Sequence, residues 1–117
     1  MKRGELWWAN LGEHRPLEQT GRRPVVVWQS DALSRALQSV LVVPLTTNLE
    51  RAHLAGTAMV EASELGPPRE SVALAFQIRA IPKRALESRI RSLTDVEMAE
   101  LEMATDEALG RLDPEST

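Results

Sequence analysis

Two short, nearly uninterrupted apolar runs near the middle of the chain constrain its fold more than any other feature. Residues 24–29 and 39–46 are rich in valine, and neither run alternates between apolar and polar positions. A short run of this kind is typical of a strand that is buried on both faces. Because the chain has only 117 residues, the two strands are expected at the centre of one small domain.

Four further strands are predicted around this centre, at residues 6–11, 57–62, 71–81 and 87–93. The strand at 71–81 alternates from Val72 to Arg79 between bulky apolar residues and smaller or polar ones, and this period of two is typical of a half-buried strand. On that pattern, Gln77 and Arg79 share one face. Two long polar loops, at residues 12–22 and 47–56, connect the strands, and loops of this length are often functional.

The hydrophobic period changes at Thr94. Thr94 and Glu97 have the spacing of a capping box, and apolar residues then follow at helical intervals until Gly110, which favours a left-handed helix end. A shorter helix is predicted from Ser30 or Asp31 to Leu37. The whole pattern predicts an α+β, mainly β domain, and favours an SH3-like antiparallel β-barrel with a C-terminal α-helix and short additional helices.

Composition and charge exclude several classes of protein. The chain has no cysteine, so it has neither disulfides nor thiolate metal sites, and a cytoplasmic location is expected. No secretory signal pattern follows Met1, and the apolar runs are too short to span a membrane. Residues 1–93 hold 13 Lys+Arg against 9 Asp+Glu, whereas residues 94–117 hold 1 against 8. The mildly basic body is compatible with phosphate contacts despite the net charge of −3.

Four segments together resemble the MazF/PemK family of toxin ribonucleases. They are residues 3–11 (RGELWWANL), 18–27 (EQTGRRPVVV), 42–48 (VVPLTTN), and 71–74 (SVAL) followed by 77–79 (QIR). Each motif is weak alone, but all four occur in the family's order and spacing. The resemblance covers residues 3–112, so we expect a single CcdB/MazF-like toxin domain at 1–112 and a polar tail at 113–117.

The resemblance implies the toxin of a type II toxin–antitoxin system, a stress-response module that inhibits translation and growth. Its expected activity is metal-independent, sequence-selective cleavage of single-stranded mRNA, with attack by the 2′-hydroxyl leaving a 2′,3′-cyclic phosphate and a 5′-hydroxyl. No cofactor is expected. The implied partners are a second copy of the chain and a MazE-like antitoxin, and DNA is reached only through the antitoxin complex.

Three residues match the family's catalytic positions. Arg23 is the first candidate, since a guanidinium matches phosphate oxygens and stays charged. The family assigns acid–base chemistry to this arginine, but its high pKa favours electrostatic stabilisation of the phosphorane. Thr46 can donate a hydrogen bond to the same phosphate. Glu18 can take the proton of the 2′-hydroxyl or orient the arginine.

Five residues are predicted to contact RNA: Gln77, Arg79, Arg22, Asn48 and Trp8. Glutamine and arginine can pair with base edges or phosphates, and tryptophan can stack on unpaired bases. An alternative places Trp7, Trp8 and Trp28 in the core or at a dimer interface. A further set of cations is predicted to form a basic flank or a solvated edge strand: Lys83, Arg84, Arg89 and Arg91.

Three other functions remain open on the sequence. His14 and His53 are the only histidines and could form a two-histidine ribonuclease site, although both lie in loops without a partner pattern. A CcdB-like poison of DNA gyrase is the second alternative, but the polar end of the chain argues against it. The third is a catalytically inactive barrel that serves as a binding module.

Overall fold

Seven strands and two α-helices make up the part of the chain that the structure, a computed structural model, describes, namely residues 1–12 and 19–111. The strands are β1 Glu5–Asn10, β2 Arg22–Val27, β3 Ser39–Thr46, β4 Thr57–Val60, β5 Ser71–Leu74, β6 Arg79–Pro82 and β7 Leu86–Ser92. The helices are α1 Asp31–Ala36 and α2 Asp95–Ala108, and short 3₁₀ turns cover Leu49–His53, Ala75–Gln77 and Lys83–Ala85.

All of these strands pair antiparallel, in the order β4-β5-β3-β2-β1-β7, and β6 also pairs with β3. β3 is the central strand. Its first half pairs with β6, its last two residues pair with β5, and β2 lies along its other side. The predicted mainly β class with a C-terminal helix is therefore confirmed.

The predicted burial of the two valine-rich strands on both faces is also confirmed, except at Leu41, which is exposed. Val25, Val26 and Val27 have no exposed surface. Val26 belongs to a core that includes Leu101 of α2, whereas Val25 and Val27 belong to a second apolar cluster on the opposite face of the sheet. Because both faces are covered, these strands need no polar positions, and this explains the lack of alternation in the sequence.

The prediction of one strand over residues 71–81 is wrong. β5 ends at Leu74, the 3₁₀ turn Ala75–Gln77 follows, and β6 begins at Arg79. Thr46 of β3 pairs with Val72, and Val42 of β3 pairs with Arg79, so four steps along β3 correspond to seven along its partner. The turn takes up the three extra residues where the chain crosses from one part of the sheet to the other.

Both predicted helices are present, and α2 begins with its predicted capping box. The Ser30 hydroxyl accepts from the Leu33 N–H at the start of α1. At the start of α2, the Thr94 hydroxyl accepts from the Glu97 N–H at 3.2 Å, and the Glu97 carboxylate accepts from the Thr94 N–H at 2.9 Å. Gly110 has a φ of +74° just after the helix, which is the left-handed end that its position predicts.

Some predictions concern residues that the structure does not describe, namely 13–18 in the first long loop and 112–117 at the end of the chain. The predicted boundary between the domain and its tail therefore stays a prediction. Among the residues that are described, no helix combines the length and apolar character needed to cross a membrane.

Candidate functional site

A cleft of about 190 Å³ opens where β2 begins and β3 ends. Its described walls come from three parts of the chain: the start of β2 with the adjacent β1, the end of β3, and the segment before β5. The lining residues are Trp8, Arg22, Arg23, Pro24, Leu45, Thr46, Thr47, Pro67, Pro68, Arg69 and Ser71. Three of these are arginines and none is an aspartate or glutamate, so the described lining suits an anion.

Arg23 and Thr46 meet in this cleft because of the register of the two valine-rich strands. Val25 pairs with Pro44 and Val26 with Val43, and two more steps in this register bring Arg23 opposite Thr46. Residues directly opposite one another on antiparallel strands extend their side chains to the same face. The sheet therefore brings the two first-choice catalytic candidates together.

The Arg23 guanidinium is held by neutral oxygens. It donates to the Thr20 carbonyl at 2.9 Å, to the Leu45 carbonyl at 3.0 Å and to the side-chain oxygen of Gln19. Among the described residues no carboxylate pairs with it. Burial lowers the pKa of Arg23 from its ordinary value, yet a guanidinium stays protonated at neutral pH. The result is a partly desolvated positive charge without a described counter-charge.

Thr46 is buried, and its hydroxyl accepts from the Asn48 N–H at 3.2 Å. A hydroxyl can accept and donate at once, so this bond leaves its proton available for an anion in the cleft. The strand ends at Thr46, and the next residue, Thr47, also lines the cleft.

Arg22 and Trp8 form a stacked pair in the cleft wall. The Arg22 guanidinium carbon lies 4.4 Å from the centre of the Trp8 ring, a cation–π arrangement. Arg22 also pairs with Glu87 through partly exposed side chains, and exposed ion pairs of this kind contribute little to stability. Two of the five predicted RNA-contacting residues therefore lie in the cleft.

The third arginine of the cleft, Arg69, was not among the residues predicted from the sequence. It is exposed and follows Pro67 and Pro68, whose rings restrict the backbone. The Ser71 hydroxyl donates to its carbonyl at 2.9 Å, which further fixes the segment. A cation directly after two prolines was a signal in the sequence, but nothing local indicated that this segment lies against β2.

A family model described as the PemK-like, MazF-like toxin of type II toxin–antitoxin systems matches residues 2–109. The chain belongs to this family. The sequence-based prediction of family is thus confirmed over nearly the whole chain.

Curated relatives carry the same family's names. The chain is 34% identical to endoribonuclease EndoA of Bacillus subtilis over 113 residues, which cover 97% of each chain. It is 33% identical to endoribonuclease MazF of Staphylococcus saprophyticus over 110 residues, 94% of this chain and 92% of that one. The enzyme class expected from the sequence agrees with the names of these relatives.

Solved structures of more distant proteins share the fold. A mycobacterial endoribonuclease in complex with its cognate antitoxin superimposes with a TM-score of 0.79 at 23% identity, covering 97% of this chain and 99% of that one. MazF from Deinococcus radiodurans gives a TM-score of 0.78 at 22% identity, covering 94% and 96%. These likenesses establish the toxin fold for the chain.

Gln77 and Arg79 do not line the cleft, and the predicted shared strand face is wrong because a turn separates them. The Gln77 side-chain oxygen accepts from the Gln19 N–H at 2.9 Å. Arg79 donates to the Gln19 carbonyl at 3.2 Å and to the Leu11 carbonyl at 2.7 Å. Both side chains therefore hold the end of the 12–22 loop that leads to Arg23.

Asn48 is also absent from the described lining of the cleft. It is exposed, and its side-chain oxygen accepts from the Glu50 N–H at 3.2 Å at the start of the 3₁₀ turn. His53 ends the same turn in an exposed position away from the cleft. Glu18 and His14 lie outside the described residues, so the proposed base and the two-histidine alternative stay untested.

Metal independence likewise stays a prediction. Among the described residues, no group of three or more His, Asp or Glu side chains is placed to hold a metal ion.

The tryptophans divide between core and cleft. Trp28 is buried, and its Nε1 donates to the Thr105 hydroxyl at 2.8 Å. Trp7 packs against the second apolar cluster. Only Trp8 combines a core contact with a place in the cleft wall.

The predicted basic flank is wrong for Arg91. That side chain is buried in an ion pair with Glu97, with distances of 2.8 and 3.1 Å between guanidinium nitrogens and carboxylate oxygens. Arg89 is paired with Glu5 at 2.7 Å. Of the four cations, only Lys83 and Arg84 lie together, in the 3₁₀ turn after β6.

Proposed function

We propose that the protein is a toxin endoribonuclease that cuts single-stranded RNA, mRNA in the cell, in a sequence-selective and metal-independent reaction. The observation that carries the proposal is the meeting of Arg23 and Thr46 in a cleft whose described lining holds three arginines and no carboxylate. The membership of the family and the names of its curated relatives support the same activity.

The proposed reaction begins with attack of a 2′-hydroxyl oxygen on the adjacent phosphorus. A new 2′-O–P bond forms and the P–O5′ bond breaks, which leaves a 2′,3′-cyclic phosphate and a 5′-hydroxyl. The dianionic phosphorane between these states carries more negative charge on its oxygens than the substrate. Arg23 supplies a fixed positive charge there, and Thr46 donates a hydrogen bond to the same group. Both interactions strengthen in the transition state.

The reaction also moves two protons. One leaves the 2′-hydroxyl and another reaches the departing 5′-oxygen. Although burial lowers its pKa, the Arg23 guanidinium holds its proton too firmly to be an effective base at neutral pH. Glu18 remains the proposed base on the family match, with Arg23 in the electrostatic role.

The other cations of the cleft bind the RNA strand on either side of the scissile phosphate. Arg22, stacked on Trp8, and Arg69, on the opposite wall, are placed for neighbouring phosphates. A cleft of about 190 Å³ suits a single strand whose bases can separate, which is the form of RNA that proteins read most often by sequence. Trp8 offers an aromatic surface for one of those bases.

The proposed partners follow from the family and from this charge. A solved relative is an endoribonuclease in complex with its cognate antitoxin, and MazE–MazF complexes from Deinococcus radiodurans are also known. We propose that an acidic antitoxin segment occupies the arginine-lined cleft and competes with RNA, and that DNA is contacted only by the complex. Homodimerisation and action in the cytoplasm, in a stress response, belong to the same proposal.

The test is cleavage of a single-stranded RNA by the purified protein in EDTA. Arg23→Ala and Thr46→Ala are expected to slow cleavage by roughly 10²–10³, with far-UV circular dichroism unchanged. Arg84→Ala is the matched control, since Arg84 is an exposed arginine outside the cleft. The expected products carry a 2′,3′-cyclic phosphate and a 5′-hydroxyl. Wild-type rates in both cleft variants would reject the site. Growth arrest with intact RNA would favour the gyrase-poison alternative.

A further inference from the structure

Gln19 connects two predicted RNA-contacting residues to the candidate catalytic arginine. Its N–H donates to the Gln77 side-chain oxygen at 2.9 Å, and its carbonyl accepts from Arg79 at 3.2 Å. Its own side-chain oxygen accepts from Nη1 of Arg23. Three hydrogen bonds through one residue thus link the turn after β5 and the start of β6 to the guanidinium in the cleft.

We propose that Gln77 and Arg79 are positioning residues for Arg23 that act through Gln19, and that they are not readers of RNA bases. The inference rests on the proposed function, because it assigns their task within that reaction.

Orientation matters because an arginine side chain has several rotatable bonds and loses much conformational freedom when it is fixed. A guanidinium stabilises a phosphorane only if its N–H groups are already aimed at the developing charge. Two acceptors of Arg23 are backbone carbonyls, of Thr20 and Leu45. The third is the Gln19 amide, which is the only side-chain acceptor that Arg23 has among the described residues. Of the three acceptors of Arg23, the Gln19 side chain is therefore the one whose position can change without a change in the backbone.

Gln19 itself lies at the end of the loop that follows β1, and it is held from the sheet. Arg79 begins β6, which is paired with the central strand through Val42. Its second bond, to the Leu11 carbonyl at 2.7 Å, reaches the other end of the same loop. The Arg79 guanidinium therefore donates to both ends of the loop. These bonds fix the backbone from which the Gln19 side-chain amide reaches Arg23.

The chemistry of the connection also fits a positioning role. An amide oxygen orients Arg23 without neutralising it, whereas a carboxylate at position 19 would form an ion pair and compete with phosphate. The Gln77 oxygen and two nitrogens of Arg79 are already bonded to backbone groups. Reading a base would compete with those bonds for the same groups, and neither residue lines the cleft in the described part of the chain.

The test is a set of double-mutant cycles with kcat, KM and the sequence of the cut sites as readouts. Gln77→Ala and Gln19→Ala are expected to lower kcat about tenfold or more, with KM and cut sites unchanged. Neither change is expected to lower the rate further in an Arg23→Ala background, because residues that act as one unit are not additive. Gln38→Ala is the matched control, since Gln38 is exposed and its side chain has no described role.

Two further variants keep the test decisive if an alanine variant unfolds. Gln77→Glu retains an oxygen acceptor for the Gln19 N–H and is expected to keep most of the activity. Gln19→Glu is expected to raise KM by pairing with Arg23. Altered cut sites in Gln77→Ala, or in Arg79→Ala, would overturn the inference in favour of base reading. Losses that add to that of Arg23→Ala would overturn it as well.

A readout without RNA separates this inference from the proposed function. The Nε–H resonance of Arg23 in NMR spectra of the purified protein is expected to shift in Gln19→Ala and Gln77→Ala, and to stay in place in Gln38→Ala. An unchanged resonance in Gln19→Ala and Gln77→Ala would reject the positioning role even if the wild type cuts RNA. If the wild type does not cut RNA while the resonance shifts as expected, the proposed function fails and the structural coupling stands.

Discussion

Arg23 and Arg91 are both withdrawn from solvent, but their surroundings are opposite. The Arg91 guanidinium donates to both oxygens of Glu97 and to the carbonyls of Gly66, Ser92 and Glu61, at 2.8–3.1 Å. These contacts involve Nε, Nη1 and Nη2 and account for all five of its N–H groups. Among the described residues, Arg23 donates only to three neutral oxygens, and its Nη2 has no acceptor.

The difference separates an arginine that holds the structure together from one that the structure holds in place. Arg91 connects β7, the first turn of α2 and the segment after β4. Its positive charge is neutralised inside the protein by the Glu97 carboxylate. That segment continues to Pro67 and Arg69, and the Arg91 contacts thereby help to set one wall of the cleft. At another wall, Arg23 keeps a positive charge that no carboxylate among the described residues neutralises, and an anion can bind there.

The largest expected difference between the two arginines is in stability. Arg91→Ala leaves the buried Glu97 carboxylate unpaired, and loss of one partner of a buried pair costs about 3–5 kcal/mol. Arg23→Ala is expected to change the free energy of unfolding by less than about 1 kcal/mol, because lost hydrogen bonds and relief of a desolvated charge oppose one another. Urea unfolding of both variants measures this. A larger loss in Arg23→Ala than in Arg91→Ala would reverse the assignment.

Acid is expected to weaken the Arg91 region. Burial alone raises the pKa of Glu97, but hydrogen bonds from Arg91 and from the N–H groups of Thr94 and Glu61 outweigh it, so the pKa is lowered from its ordinary value of 4.5. A lowered folded-state pKa gives stability that is present above 4.5 and is lost as pH falls from there through the folded-state value. Thermal melts from pH 6 to pH 3 measure the loss. Glu97→Gln is expected to flatten this pH dependence, and an unchanged slope would contradict it.

Arg69 is expected to contribute to RNA binding and not to stability, in contrast to Arg91. Arg69→Ala is expected to weaken RNA binding and to reduce the slope of log affinity against log salt by about 1, since one phosphate contact is lost. Unfolding stability is expected to stay within about 0.5 kcal/mol, as for most exposed sites. Fluorescence anisotropy with a 2′-O-methyl RNA at several salt concentrations measures the slope. The same slope as the wild type would remove Arg69 from the binding surface.

The smallest expected effect concerns the Arg22–Trp8 stacked pair in the cleft wall. Arg22→Ala removes a cation–π contact with Trp8 and an exposed ion pair with Glu87, which together contribute about 0.5–1 kcal/mol. Trp8 fluorescence is expected to change in this variant, because the ring loses its covering cation. Identical emission spectra in the wild type and the variant would show that the stack does not persist in solution.

The sequence was sufficient to predict those elements whose local residue pattern agrees with their place in the fold. The two valine-rich runs predicted the central strands, and the capping residues Thr94 and Glu97 predicted the start of α2. In these elements short-range chemistry determines the structure. Arg23 and Thr46 were selected together through the family resemblance, and the register of β2 and β3 that brings them together came from the structure.

The predictions failed for residues whose structure depends on contacts between distant segments of the chain. Residues 71–81 alternate like one strand, but β3 changes its partner half-way along, and alternation carries no information about that change. Arg91 looked like a surface cation because charge patterns do not reveal burial, and its partner carbonyl in Glu61 is 30 residues away. Arg69 reaches the cleft only through the path of that same segment.

The most direct test of the account follows the two guanidinium groups by NMR as a non-cleavable RNA is added. We expect a single-stranded RNA with methylated 2′-hydroxyls to shift the guanidinium resonances of Arg23 progressively to saturation, while those of Arg91 stay in place. RNA binding that leaves the Arg23 resonances unmoved would contradict the claim that the Arg23 guanidinium is the centre of the site.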